Sequence, residues 1–209
     1  MTSAVSDIGM PKPTDRTAIF DPFADLMLMQ EEKPHDWQPV DLRSITPFQR
    51  ALLSMDGTVT KFLEAYTLEP IKIIQLQQQQ KTLMADHPGL EAPIDTPVIA
   101  RQVLLCGKHS AKVYAYAVSL LITDRLPTKV LQELDREPAG LGRVLCDSQL
   151  ENRREVLWYG REHMADLPEA ISTLSGQDFI SRTYRIIVDQ NPTILVNEKF
   201  PVICPVTGC

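Results

Sequence analysis

Two charged residues stand where a folded chain normally keeps apolar ones. In residues 98–106 (VIARQVLLC) Arg101 alternates with Ile99, Val103 and Leu105. In residues 193–200 (TILVNEKF) Glu198 alternates with Ile194, Val196 and Phe200. Strand side chains point alternately to opposite faces, so each charge points where its apolar neighbours point. A buried charge must be paired, shifted in pKa or presented to a ligand. Two readings of the pair stay open. In one, Arg101 and Glu198 form a structural salt bridge across neighbouring strands. In the other they face one apolar cavity. There Arg101 would hold a ligand carboxylate through its planar fork. Glu198, desolvated by its neighbours, would have a raised pKa and act as an acid or base near neutrality. A cation and a carboxylate on one cavity suit a small anionic substrate that undergoes proton transfer.

A second element is Gly140-Leu141-Gly142. Glycines on both sides of Leu141 let the backbone approach a ligand and point an N–H at it. A plain break between helix and loop explains the same residues. The run lacks a complete GxGxxG and no strand precedes it, so it is not a dinucleotide fingerprint. The arginines 125, 143, 153, 154, 182 and 185 read mostly as surface charges, with Arg182 and Arg185 near enough to the last hairpin to line a site mouth. The cysteines 106, 146, 204 and 209 form no CxxC pair and lie at no close ligand spacing with the four histidines, so a metal site is not expected.

These residues need elements to hold them. Residues 71–77, 98–106 and 113–123 read as strands, the last two joined by the turn Gly107-Lys108-His109-Ser110. Residues 183–189 and 193–200 form a closing hairpin, and residues 154–159 lean toward strand. Thr46, Pro47 and Gln49 have the form of a capping box, which starts a helix that Asp56-Gly57 stops; Thr58 then caps a second short helix. This helix pair is placed as a lid over a sheet. Residues 126–135 are helical and residues 168–177 are loop with a short helix. Close hairpins imply antiparallel pairing, so the fold class is α+β, with helices on one side of an antiparallel sheet. Residues 1–44 read as an irregular, proline-interrupted extension in which Phe20, Phe23, Leu26 and Met27 could pack a short helix. Residues 45–209 form the domain body.

Composition narrows the function. The chain has 209 residues, 44% of them apolar, and a net charge of -6. An acidic chain is poorly suited to a nucleic acid backbone, which wants a basic surface. The strongly apolar run 113–123 is too short for a membrane span, which needs about 20 residues. The first residues lack the pattern of a secretory signal, so the expected compartment is the cytoplasm.

Taken in order, Asp56–Glu64 (DGTVTKFLE), Arg101–Cys106 (RQVLLC), Gly140–Arg143 (GLGR) and Leu195–Pro201 (LVNEKFP) resemble the chorismate lyase (chorismate pyruvate-lyase) family, in its divergent cyanobacterial and mycobacterial branch. The similarity spans roughly residues 45–203. It implies a six-stranded antiparallel sheet, with helical flaps covering a buried ligand pocket. The implied reaction eliminates pyruvate from chorismate to give 4-hydroxybenzoate, for quinone or related aromatic biosynthesis. Aromatisation drives that step, so neither cofactor nor metal is implied, and the partner is the small molecule itself, with the protein a monomer or small homo-oligomer. By position Arg101 matches the arginine on the ring carboxylate and Leu141 the residue whose N–H meets the same group. Glu198 matches the carboxylate on the 4-hydroxyl side, and Val59 falls where some members line the pocket with methionine. Gly140 stands where the family turn often has proline. The alternative is a non-catalytic domain that binds or senses an aromatic carboxylate, as in regulators with a related sheet; residues 1–45 are too short and too weakly basic for the DNA-binding module such regulators carry.

Overall fold

A computed structural model describes residues 21–136 and 140–202. Six strands, β1 (Ile71–Thr82), β2 (Pro97–Gly107), β3 (Val113–Ile122), β4 (Asn152–Met164), β5 (Gln177–Val188) and β6 (Asn191–Pro201), form one antiparallel sheet in the order β1-β2-β3-β6-β5-β4. Among the described residues, the α-helices α1 (Pro47–Ser54), α2 (Val59–Thr67), α3 (Thr128–Arg136) and α4 (Leu141–Asp147) complete the expected α+β architecture.

The helices sit on one face of the sheet. The capping box forms as the sequence predicts: Gln49 N–H donates to Thr46 Oγ1 at 3.2 Å, and Thr46 N–H donates to Gln49 Oε1 at 3.0 Å. It starts α1, which with α2 buries Leu52, Val59 and Leu63 against Val103, Leu105, Ala117 and Phe200. The α3–α4 pair buries Val130, Leu134, Val144 and Leu145 against Ile99, Leu121, Ile186 and Ile194. Two apolar clusters thus stand side by side on one face, and the middle of the sheet is exposed to the space between them.

The opposite face is also covered, among the described residues by segments whose helical turns are of the 3-10 type. Leu83, Leu90 and Ala92 pack on Val98, Ile122 and Leu195. Ile171, from the segment between β4 and β5, packs on Leu104, Cys106 and Tyr116. Covering both faces makes the alternate residues of β6 buried whichever way they point.

Residues 21–45 strap the open edge of β4. Leu28 and Met29 donate to the carbonyls of Val156 and Leu157 at 3.0 and 2.9 Å, and Gln38 and Arg161 exchange backbone bonds at 2.7 and 2.8 Å. Such pairing protects an edge that would otherwise template association. The short helix expected on Phe23, Leu26 and Met27 is a run of turns instead. Phe23 is buried there, against Tyr159 at 5.3 Å between ring centroids. Phe20, the other residue of that expected helix, lies outside the described residues, as do Cys204 and Cys209.

Strands run longer than their alternation suggests. β4 extends through Met164 and β5 begins at Gln177 rather than at Thr183. Each contains or faces a register shift, at Val156/Trp158 between β4 and β5 and at Ile186/Ile187 between β5 and β6. A bulge swaps the faces of all residues beyond it, which hides the period in the sequence.

Candidate functional site

Between the two helix pairs lies a cavity of about 70 Å³. Val59, Arg101, Leu141 and Glu198, the residues singled out by sequence, all line it. The rest of its wall is largely apolar, with Val103, Leu105, Ala117, Ile186 and Val196, and polar groups are few: Ser119, Arg154 and Tyr184 among them. It adjoins an outer cavity of about 710 Å³, and the two share Thr58, Thr60, Ile73, Gly140 and Gly142.

Arg101 sits in the middle of β2 and is 2% exposed. Its Nε donates to Gln75 Oε1 at 3.3 Å. The register of β1 against β2 shifts just after Gln75, which sets Gln75 on the cavity side of the edge strand. Burial pushes the guanidinium below its ordinary pKa. Desolvation of this kind raises the value of any anion that reaches the group.

Glu198 is on β6, and β3 lies between it and β2. The structural salt bridge read as one option between Arg101 and Glu198 is replaced by another. Arg182 on β5, directly opposite Glu198, brings Nε and Nη2 each to 2.9 Å from Oε2; Nε makes the aligned hydrogen bond and Nη2 the ion-pair contact. Tyr184 Oη donates to the other oxygen, Oε1, at 3.2 Å. Burial pushes the Tyr184 phenol above its ordinary pKa and the charge of Glu198 adds to that, so it stays a donor. The guanidinium of Arg182 also lies 5.1 Å from the centre of the Tyr184 ring. Glu198 therefore meets the cavity as a fixed carboxylate within an ion pair, with Arg182 and Tyr184 setting its orientation.

The same arginines reach the linker between α1 and α2. Arg182 Nη1 donates to Met55 O at 2.6 Å, and Arg154 Nη1 donates to Asp56 O at 3.1 Å. Both carbonyls belong to the short segment that carries Thr58 and Val59 over the cavity. Thr58 stands at the N-cap of α2 as expected, but its side chain makes no capping bond. It packs on Gly142 instead, where an added Cβ would come within 3.1 Å of Thr58 Cγ2. At Gly140 an added Cβ would lie 2.6 Å from Ile73 Cδ1, so a proline there would displace that side chain. The two glycines let α4 close against α2 and β1. Gly140 is the N-cap of α4 and Leu141 its first residue, so the run read as a possible break begins a helix. N–H groups in a first helical turn have no partner within the helix.

Sequence reasoning placed Arg154 among the mostly surface charges and Arg182 near enough to the last hairpin to line a site mouth. Arg182 is instead 1% exposed, and Arg154 borders the cavity. The signal was present for Arg182: with β5 beginning at Gln177, it alternates with Ile180, Tyr184 and Ile186, as Arg101 does with its own neighbours.

This geometry can be set beside known proteins. A family model described as "Chorismate pyruvate-lyase Rv2949c-like" matches residues 53–205, nearly three quarters of the sequence. The chain belongs to this family. Within it, the "Chorismate pyruvate-lyase" of Mycobacterium leprae (strain TN) is 28% identical over 166 residues, which cover 77% of each chain. The protein of the same name from Mycobacterium tuberculosis (strain H37Rv) is 26% identical over 170 residues, 77% of this chain and 82% of its own. Among solved structures, the effector domain of PhnF from Mycobacterium smegmatis superposes with a TM-score of 0.50 at 13% identity, over 78% of this chain and 91% of that one. At that identity the likeness concerns the fold. The chorismate pyruvate-lyase match spans α2, the whole sheet and every residue of the cavity wall named above. No helix among the described residues is long and apolar enough to cross a membrane.

Proposed function

We propose that the chain eliminates pyruvate from chorismate and leaves 4-hydroxybenzoate, with the cavity between Arg101 and Glu198 as the reaction chamber. The observation that carries this reading is the convergence of Val59, Arg101, Leu141 and Glu198 on one small, mostly apolar cavity in a member of a chorismate pyruvate-lyase family. Arg101 takes the ring carboxylate through its fork, and the Leu141 N–H at the start of α4 meets the same group. Glu198, held by Arg182 and Tyr184, lies toward C4 of the ring.

In the reaction the C4–H bond breaks and its electron pair forms the C3–C4 double bond of the aromatic ring. The C3–O bond breaks with it, and enolpyruvate leaves, takes a proton and becomes pyruvate. Glu198 assists by accepting the C4 proton or by balancing the charge that develops there, a contribution worth roughly 10²- to 10⁴-fold. The linker bonds to Met55 and Asp56 keep α1 and α2 closed over the ring and exclude water. The step consumes no oxidant or reductant, so the chemistry calls for no redox cofactor. We place the enzyme in the cytoplasm, as a monomer or small homo-oligomer, supplying quinone or related aromatic biosynthesis.

The test is incubation of the purified chain with chorismate and no added cofactor. Equal amounts of 4-hydroxybenzoate and pyruvate are expected. Tight binding of 4-hydroxybenzoate without any turnover would make the chain a binding protein and contradict the proposal.

A further inference from the structure

Among the described residues, Arg154 on β4 lines the inner cavity together with Arg101. Its Nη1 is used by the carbonyl of Asp56, while its Nε is shielded from solvent and has no hydrogen-bond partner among the described residues. A guanidinium N–H left in that state is costly, and Arg154 lines the cavity that a ligand would fill. Glu198, on the same wall, is already engaged by Arg182.

The sheet register shows where Arg154 stands. It pairs with Ile186 on β5, two residues along from the row that links Tyr184, Val196, Ser119 and Arg101. β4 and β2 are separated by β5, β6 and β3, so the two arginine backbones are roughly 19 Å apart at about 4.8 Å per strand. Both side chains line the cavity, and two arginines extended from either flank would leave room for a small dicarboxylate between them. Arg154 also acts on the ring of groups around Glu198, because its charge opposes the upward shift of the Tyr184 phenol.

This deepens the function proposed above and rests on it. The substrate proposed there carries two carboxylates, one on the ring and one on the enolpyruvyl ether at C3, while the aromatic product carries one. We propose that Arg154 is the anchor for the second carboxylate: its Nε edge holds the enolpyruvyl group while Nη1 stays on Asp56 O. Arg101 and Arg154 thus hold the substrate at two ends. After elimination the leaving group alone remains on Arg154, and the product remains on Arg101. Specificity for the ether-linked diacid over the bare aromatic acid lies in Arg154.

The experiment measures calorimetric binding of two probes that differ in one charge. These are 3-(carboxymethoxy)-4-hydroxybenzoate, a diacid, and 3-methoxy-4-hydroxybenzoate, its monoacid counterpart. Wild type, Arg154→Gln and Arg154→Lys are compared, with thermal unfolding as a check that each variant folds; if the glutamine variant does not fold, the lysine variant carries the comparison. The expected result is a loss of about 100-fold in diacid affinity for Arg154→Gln, with monoacid affinity changed less than about threefold, and partial recovery of the diacid by lysine. Equal losses for both probes would make Arg154 a latch for the linker and overturn the proposal, as would no loss for either. Failure of wild type to bind either probe would also overturn it. Chorismate turnover is scored separately: diacid selectivity through Arg154 without turnover leaves this inference standing and removes the lyase reading. Normal KM and turnover in Arg154→Gln do the reverse.

Discussion

Glu198 and Lys199 are neighbours on β6, both buried, both in ion pairs, and they point to opposite faces of the sheet. On the helical face Glu198 pairs with Arg182 beside a cavity. On the other face Lys199 donates to Glu162 Oε1 at 2.6 Å, and the hydroxyl of Ser181 donates to the same oxygen. The Trp37 ring covers that cluster, with Lys199 Nζ 5.5 Å from its centre. The second pair is sealed by the strap, and its partners consume each other. The first borders empty space that also meets Arg101, Arg154 and the start of α4. Burial of charge is common to both faces, so burial alone does not mark a site. A cavity with further donors turned toward it does.

That contrast can be broken by substitution on each face. The largest effect is expected from Glu198→Gln, which keeps shape and loses charge. Steady-state kinetics with chorismate should show kcat lower by about 10²- to 10⁴-fold with KM within a few-fold. An unchanged kcat would make Glu198 structural, like its neighbour. Arg101→Ala comes next. Removing one partner of a buried charged contact costs about 2–5 kcal/mol, so 4-hydroxybenzoate should bind about 30-fold weaker or worse by calorimetry.

On the sealed face the effect should move from activity to stability. Glu162→Gln leaves Lys199 buried without its carboxylate, and denaturant unfolding should show a loss of about 3–5 kcal/mol. Turnover per folded molecule should stay within about twofold of wild type. Lost turnover at full stability would reveal a second working site there and end the comparison.

The smallest effect concerns a half-buried carboxylate in a turn. Glu69 accepts from the N–H groups of His109 and Ser110, from Ser110 Oγ and from Tyr114 Oη. The Ser110 bonds foremost hold its pKa down, from 4.5 to about 2. A lowered folded value means that its contribution is complete above about 4.5 and disappears as pH falls through about 2. Acid unfolding of Glu69→Gln should therefore be less pH-dependent than wild type across that window, with activity at neutral pH unaffected. An identical acid profile would show that the turn does not use the charge.

Much of the site face is legible in sequence because its rules are local. Alternation put Arg101 and Glu198 on apolar faces, and the capping box put α1 ahead of the linker. The pairing of Glu198 was not legible in the same way, because it depended on β5 starting six residues before its clear alternation, which made Arg182 look like a residue outside the strand. Arg154 lay hidden by the bulge two to four residues further along β4. The sealed face was less legible still. Glu162 and Lys199 become buried only because chain without regular helix or strand packs on that side, and no local pattern announces such packing. The order of the strap is hidden in the sequence for a related reason: it comes from backbone bonds to β4 and from widely spaced Phe23 and Trp37.

The most direct measurement is a crystal structure with 4-hydroxybenzoate bound. The account predicts the ring in the cavity between the helix pairs, its carboxylate on Arg101 and the Leu141 N–H, and its hydroxyl toward Glu198. A product molecule seated in the outer cavity alone, or turned with its carboxylate away from Arg101, would contradict it.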